Sequence, residues 1–474
     1  MRTILLGAGI VLLAILALAL YYDFTTMWTF LPKGSHIWRQ ADCFAMTLNY
    51  KQFHLPFFHP ATYNLQSING NVAGEFPLFY FIAAQFKHPA IALRVMHTIA
   101  LFVGILSIYF IAFYFLRRRL LSVFCALLFF TSPLLIFYGN NFLSDVPALC
   151  FAFLGWAIFL FHQEKMSYIV LSFMLFALAS LLKASEIFHF SMVFFFLIIN
   201  KKRNIKNYIP FVLCLLPIAW YIYAKRYNQQ QHDTYYFLSV FPIWKLSIAE
   251  ISLAIRRMCI TWSKNYFWIP TLILLLFGAF KVFQHRHKLN ADLKQILVIS
   301  FVFVLVYILL FFEKMIEHEY YYTFFFVFFL FLSIAILKTY NCFQAENIFA
   351  HTLLFLFLIS NIIFCNHFVM EKLSYNQYDT TTATDTFQQK LEQLGITEDK
   401  VVLSLPDISP NQSLSLMQRK GYTAFNEYAT PLKNKKIDFV ILIQTKWEQF
   451  PLLQPYAKDS IGTYGDITIY RLTN

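Results

Sequence analysis

Four short segments carry the residue types that can do chemistry. The first, GSHIWRQADCFAMTLNY from Gly34, contains Asp42 with Arg39 three positions earlier. On a helix that spacing puts both side chains on one face. A carboxylate near a membrane boundary is costly unless water, a cation or a partner compensates it. A solvated interfacial ion pair accounts for the two residues; so does a general base beside its counter-charge. The polar company of His36, Trp38, Gln40, His54, His59, Asn64 and Glu75 in the same loop weighs towards chemistry. The second segment, GEFPLFYFIAAQF from Gly74, places Glu75 before an apolar stretch with Pro77 in its first turn, where Pro is tolerated. Glu75 there either answers a helix dipole or binds a cation or substrate.

The third segment, GNNFLSDVPALCF from Gly139, puts Asp145 at the start of an apolar helix with Pro147 just inside. Helix capping by Asp145 or Ser144 competes with a functional role. The fourth, EKMIEHEYYYTFFF from Glu313, joins acids, His318 and three tyrosines at a helix end. Tyrosines at an interface are ordinarily an aromatic belt. His318 with Glu317 or Glu319, and separately Glu75, are the positions where a head group or a divalent cation would be held. For a phosphate, the cations to consider are Arg256, Arg257 and Lys264, then Arg39 and Lys183. Arg holds phosphate oxygens bidentately. Contact with anionic lipid head groups explains Arg256-Arg257 equally well.

The elements that must position these groups are membrane helices. The chain is 59% hydrophobic and 13% charged, about half the charge of a soluble domain. Its apolar residues gather into runs that can cross a bilayer, which needs about 20 residues per helix. Eleven spans are expected, near 4–22, 91–116, 120–138, 146–162, 167–182, 187–200, 207–224, 265–283, 293–312, 321–338 and 347–367. The runs 167–182 and 187–200 also suit a broken hairpin around Lys183-Ala184-Ser185-Glu186. The first run is long for a signal peptide, and no A-x-A-like site follows it, so it is expected to remain as a helix.

The net charge of +13 is explained by topology rather than by nucleic acid, for which no binding motif is present. Arg117–Arg119, Lys201, Lys202, Arg203, Lys206, Arg286 and Lys288, with Lys165 and Lys338, fall on one side, which the positive-inside rule makes cytoplasmic. The loops 23–90 and 225–264 and the tail then lie outside, with the N-terminus inside. Most of the seven Cys sit in apolar runs and no CxxC pair exists. Cys43 and Cys259 both fall on the outer side, where a bridge is conceivable. From about residue 368 the composition turns polar. Lys400–Leu405 and Ile437–Ile443 read as strands, Asp385–Leu394 and Gln412–Lys420 as helices, and Ser460–Leu472 as a hairpin turning at Tyr464-Gly465-Asp466. The expected organisation is a membrane domain, 1–367, and a small extracytoplasmic α/β domain, 368–474.

An Asp in the first outer loop, a Glu before a Pro-containing aromatic stretch and an Asp at an outer helix start resemble the GT-C glycosyltransferase superfamily. The similarity is to its protein O-mannosyltransferase-like and lipid A aminoarabinose transferase-like branch. HIWRQAD followed by EFPLFYF resembles a bacterial subgroup of that branch, and the likeness runs over residues 1–340. The resemblance implies a catalytic carboxylate at Asp42, with Glu75 in the same cavity and Asp145 supporting it. It matches His318–Tyr321, with Tyr320, to an outer segment that meets substrate. It implies a sugar donor linked to polyprenyl phosphate, an acceptor that is lipid A, a glycan or a protein, and a place in a bacterial inner membrane. One departure stands out: where the aminoarabinose branch has Lys after the Glu, this chain has Phe76, so a phosphate contact must come from elsewhere or the donor differs. A flippase or a non-catalytic assembly factor for lipid-linked envelope glycans is the alternative. Transporters favour midplane charges and inverted repeats, whereas these candidates cluster at helix ends.

Overall fold

In the computed structural model, residues 2–201, 205–236, 239–339, 348–374, 382 and 384–473 are described. Lys202 and Arg203 of the basic loop, and the start of the last expected span at residue 347, lie outside the described residues. Among the described residues six helices are long and apolar enough to cross a membrane: Thr3–Tyr21, Pro89–Leu116, Ile205–Gln230, Ala291–Phe311, Glu319–Thr339 and Thr352–Ser374. A seventh is formed if Ile248–Asn265 and Ile269–Gln284, bent by 109°, count as one span. The fold is polytopic and helical, but the expected count of eleven is not reached among the described residues. Four further apolar helices among the described residues are shorter than these: Arg119–Phe129, Asp145–Phe161, Met166–Leu182 and Ala184–Ile199.

The shortfall has local causes. The run expected to span 120–138 breaks into Arg119–Phe129 and Pro133–Tyr138. Pro133 brings no N–H, and the residue before a proline is pushed out of the helical region; Ser132 is extended, at φ −89° and ψ 121°. The apolar run 167–200 breaks at Lys183, and a short 3-10 turn, Ala184–Ile187, leads into Phe188–Ile199. The hairpin reading of that region is the one that forms.

The chain divides into two compact units. The first comprises Met1–Trp28, Arg94–Trp220 and Ser239–Lys372. Its helices approach closely where side chains are smallest, the usual device when lipid gives no hydrophobic drive between helices. Gly155 on the helix Asp145–Phe161 is an example. A Cβ there would stand 2.7 Å from the Phe176 ring, and Ser172 Oγ donates to the Gly155 carbonyl at 2.6 Å. Trp156, next along, is buried and donates its indole N–H to His189 Nδ1 at 2.8 Å.

The second unit comprises Thr29–Leu93, Tyr221–Leu238 and Leu373–Asn474. It holds a five-stranded sheet of β1 (Val402–Leu405), β2 (Gly421–Thr423), β3 (Phe439–Ile443), β4 (Ala457–Tyr464) and β5 (Ile467–Thr473). The order is β2-β1-β3-β5-β4, with β1 parallel to both β2 and β3 and the other pairs antiparallel. β1 and β3 are apolar at nearly every position because both their faces are buried. Leu403, Leu405, Val440 and Leu442 pack with Leu432, Ile437, Trp447 and Leu453. The edge at β2 is closed by residues 63–65: Leu65 N donates to the Gly421 carbonyl, and Gly421 N to that of Tyr63. Gly421 has no room for a Cβ, which would fall on the Val402 carbonyl.

Gly155→Leu is therefore expected to destabilise the first unit by about 2 kcal/mol through overpacking. A lower thermal midpoint of the purified protein in lipid nanodiscs checks it, with Gly9→Leu, where nothing lies within 4 Å of a Cβ, as the control that stays unchanged.

Candidate active site

Asp42, expected from the sequence near the end of the first span, is not placed there. It lies in a separate helix, Ile37–Gln52, in the second unit, and its side chain is fully buried. Arg39, one turn before, brings Nη1 to 3.8 Å from Asp42 Oδ2, and its Nη2 is ion-paired with Glu75. Glu75 thus answers Arg39 rather than a helix dipole; the helix after it, Leu78–Ala84, starts beyond Pro77. Tyr236 lays its ring against the Arg39 guanidinium at 5.5 Å. Phe76, the departure from the family pattern, packs edge-on against Phe57.

Two groups that the sequence reading passed over grip Asp42. Asn411 donates Nδ2–H to Oδ1 at 2.8 Å, and Tyr235 donates its hydroxyl to Oδ2 at 3.2 Å. Asn411 is itself oriented, because its Oδ1 accepts the Asn64 backbone N–H at 3.0 Å. That bond forces the amide N–H₂ towards Asp42. The turn that carries Asn411 is built on Asp407, a buried carboxylate that accepts the N–H and hydroxyl groups of both Ser409 and Ser413. Burial raises the Asp407 pKa, and the four donors oppose the rise.

Burial likewise dominates Asp42, lifting its pKa from 3.8 to about 6 against the opposing pull of Arg39, Asn411 and Tyr235; Glu75 adds a small rise. The group is a carboxylate at neutral pH, with an affinity for protons suited to a general base. The stability tied to Asp42 is full below pH about 3.8 and is lost as the pH rises through about 6, at a cost of about 3 kcal/mol. Beside these groups runs a cleft lined by Thr62, Asn64, Asp233, Tyr235, Tyr236 and Asn411, among others.

The remaining expected residues fall in the first unit, where several meet. Asp145 pairs with Lys183, Nζ to Oδ1 at 2.7 Å, and Lys183 Nζ lies over the rings of Tyr320 and Tyr321 at 5.1 and 4.7 Å. His318 stacks on both tyrosines. Ser144, at the N-cap, makes no capping bond by side chain; its Oγ bonds the Leu182 carbonyl instead. Glu319 accepts from Lys372, from Tyr138 at 2.9 Å and from Asn265 at 2.9 Å. Lys264 is taken up by an exposed pair with Glu371 at 3.0 Å. Arg256 and Arg257 are exposed on Ile248–Asn265. Among the described residues no three His, Cys, Asp or Glu side chains gather as a metal would require, Glu75 and His318 included. Cys43 and Cys259 are both free thiols, the first buried and the second exposed, so the bridge considered between them is not formed.

No family model and no curated protein matches the chain. Solved structures do. ArnT from Cupriavidus metallidurans bound to undecaprenyl phosphate is 8% identical with a TM-score of 0.61, over 97% of each chain. The archaeal oligosaccharyltransferase AglB from Archaeoglobus fulgidus, in complex with an inhibitory peptide and a dolichol-phosphate, is 10% identical with a TM-score of 0.54, over 92% of this chain and 69% of that one. The arabinofuranosyltransferase AftD from Mycobacteria is 10% identical with a TM-score of 0.52; all of this chain aligns, to 40% of AftD. The chain shares the fold of these three proteins. At such identities the likeness is one of architecture, and the residues of the site stand on their own geometry.

Asn411, Tyr235 and Tyr236 were reachable in the sequence only as an amide in a polar turn and a tyrosine pair in a long loop. No spacing rule links Asn411 or Tyr235 to Asp42, which lies 369 and 193 positions away respectively.

Removing the Asn411 donor should raise the Asp42 pKa further, by about one unit for a lost charge-assisted hydrogen bond. Isotope-edited infrared titration should place the Asp42 carboxyl midpoint near pH 6 in the parent protein and near pH 7 in Asn411→Ala. An unmoved midpoint would show that the amide does not set it.

Proposed function

We propose that this chain is a membrane glycosyltransferase that moves a sugar from a polyprenyl-phosphate donor to an acceptor hydroxyl at the outer face of a bacterial inner membrane. The observation that carries the reading is the buried Asp42 carboxylate, fixed by Asn411 and Tyr235 beside the Arg39–Glu75 pair, in a chain of GT-C fold. Support for the donor comes from the undecaprenyl phosphate and dolichol-phosphate held by ArnT and AglB.

In this mechanism Asp42 accepts the proton of the acceptor hydroxyl while that oxygen bonds to the anomeric carbon. The bond from the anomeric carbon to the donor phosphate breaks, and the polyprenyl phosphate leaves with the electron pair. Arg39 is spoken for by Glu75, and its positive charge keeps Asp42 ionised rather than binding the donor. Within the first unit, Lys183, backed by Asp145 and faced by Tyr320 and Tyr321, with His318 stacked on those rings, is the cation whose surroundings suit a phosphate. Arg256 and Arg257, exposed on their helix, suit anionic head groups.

Purified protein in proteoliposomes with a radiolabelled polyprenyl-phosphate sugar tests the reading. Labelled product is expected, and Asp42→Asn should lower its rate about 10²–10⁴-fold, the usual worth of a general base, without loss of insertion. Movement of intact labelled lipid across the bilayer without product would instead support a flippase. Parent-level turnover in Asp42→Asn would remove Asp42 from the chemistry.

A further inference from the structure

A base must touch the hydroxyl it deprotonates, at about 2.6–3.2 Å between oxygens. The Asp42 side chain has no exposed surface on which that can happen. Its Oδ1 holds the Asn411 amide at 2.8 Å; its Oδ2 holds the Tyr235 hydroxyl at 3.2 Å and faces Arg39 at 3.8 Å. An incoming hydroxyl reaches the carboxylate by replacing one of these groups.

Two of the three are fastened. Asn411 is buried and its Oδ1 takes the Asn64 N–H, while the Asn64 amide donates to the Pro410 carbonyl at 2.7 Å and to Asn426 at 2.9 Å. Arg39 is ion-paired with Glu75. Tyr235 is held less firmly. It is half-buried, and its bond to Oδ2 is long for a hydroxyl donating to an anion, which ordinarily closes to about 2.5–2.7 Å. Its ring meets Tyr236 and Phe425 edge-on, each at 5.0 Å. Its main chain is secured separately. Asp233 accepts the N–H groups of Tyr235 and Tyr236 at 3.4 and 2.9 Å, and Asp233 N bonds the Asn228 carbonyl at 3.0 Å. The Tyr235 side chain can therefore turn about χ1 without breaking a backbone bond.

Such an exchange is like for like. One neutral O–H leaves the carboxylate as another arrives, so the buried charge keeps its donor. Tyr235 is not itself the reactant: burial first, and then the Asp42 charge, raises the pKa of its hydroxyl, which keeps its proton. While it stays in place, water has no access to the base, and excluding water from an active site suppresses hydrolysis.

We infer that Tyr235 is a placeholder for the acceptor: its hydroxyl occupies the position on Asp42 Oδ2 that the attacking hydroxyl takes, and until then it bars water from using Asp42 to hydrolyse the donor. The inference rests on Asp42 being the base. In the hydrolysis so prevented, the water oxygen would bond to the anomeric carbon and its proton would pass to Asp42. The polyprenyl phosphate would leave with the electron pair, and free sugar would be released.

The cover is read without a donor. The full chain in phosphatidylcholine nanodiscs is treated with a water-soluble carbodiimide and glycinamide, and labelling is measured by peptide mass spectrometry. At pH 5, below the Asp42 midpoint of about 6, a raised pKa in a variant changes the reactive fraction little. Asp42 should label about fivefold faster in Tyr235→Phe, the worth of one hydrogen bond, and faster still in Tyr235→Ala. Asp407, buried in the same unit, should label no faster in Tyr235→Phe, which keeps the ring. The consequence is read with undecaprenyl-phosphate glucose and mannose, radiolabelled in the sugar and supplied without acceptor. Release of free sugar should rise about fivefold in Tyr235→Phe, and the gain should vanish when Asp42→Asn is added. Unchanged Asp42 labelling in both variants would overturn the inference. Unchanged hydrolysis in Tyr235→Phe, where Asp42→Asn abolishes transfer, would overturn it and leave the base assignment standing. A hydrolysis gain that survives in the double variant would overturn both.

Discussion

One buried carboxylate that shares its cation with a second acid sets the terms for the second unit. Arg39 stands 3.8 Å from Asp42 and is also ion-paired with Glu75, so the negative charge on Asp42 is held by half a guanidinium and by the neutral donors Asn411 and Tyr235. Such a charge tolerates little error in its surroundings, because an unmet buried ion is far costlier than a lost surface contact. The turn around Asp407, the lock between Asn64 and Asn411 and the tyrosine pair at 235–236 all serve that end. A protein retains such an expense where the group does something, since the same volume filled by an amide would be cheaper to bury.

The first unit solves a different electrostatic problem. Asp145 and Lys183 form a close pair, and Glu319 gathers Lys372, Tyr138 and Asn265. Polar groups among apolar helices are tolerated when each finds a partner, and they pin helices that lipid would otherwise leave free to slide. Glu319 stands next to Tyr320, so fixing its carboxylate also fixes the ring that faces Lys183. The arrangement is short-range and stiff, which suits a site that must meet a charged group in a nearly dry setting.

What could be read from the chain in advance followed periodicity and local chemistry. Ala457–Tyr464 and Ile467–Thr473 turn where Gly465 announces it, and β1 and β3 lie in the two apolar runs of the tail. Arg39 and Asp42 share a helix face as three-residue spacing requires. β2 escaped notice because three residues, Gly421–Thr423, carry no alternation to detect. The span count failed where apolar composition said membrane while a proline and a lysine broke the runs. The pairing of Asp145 with Lys183 could not be foreseen, since Lys183 sits on another helix end that no local pattern connects to it. The groups on Asp42 lay beyond reach for the same reason: only folding brings the loop and the tail together.

That long separation bears on how the site comes into being. Residues 63–65 complete the sheet edge at Gly421, and Asn411 reaches back 369 positions to Asp42. A ribosome therefore releases the carboxylate long before it makes the amide that orients it. Until then Asp42 stays wet and undirected, so a truncated translation product carries the acid but not its alignment.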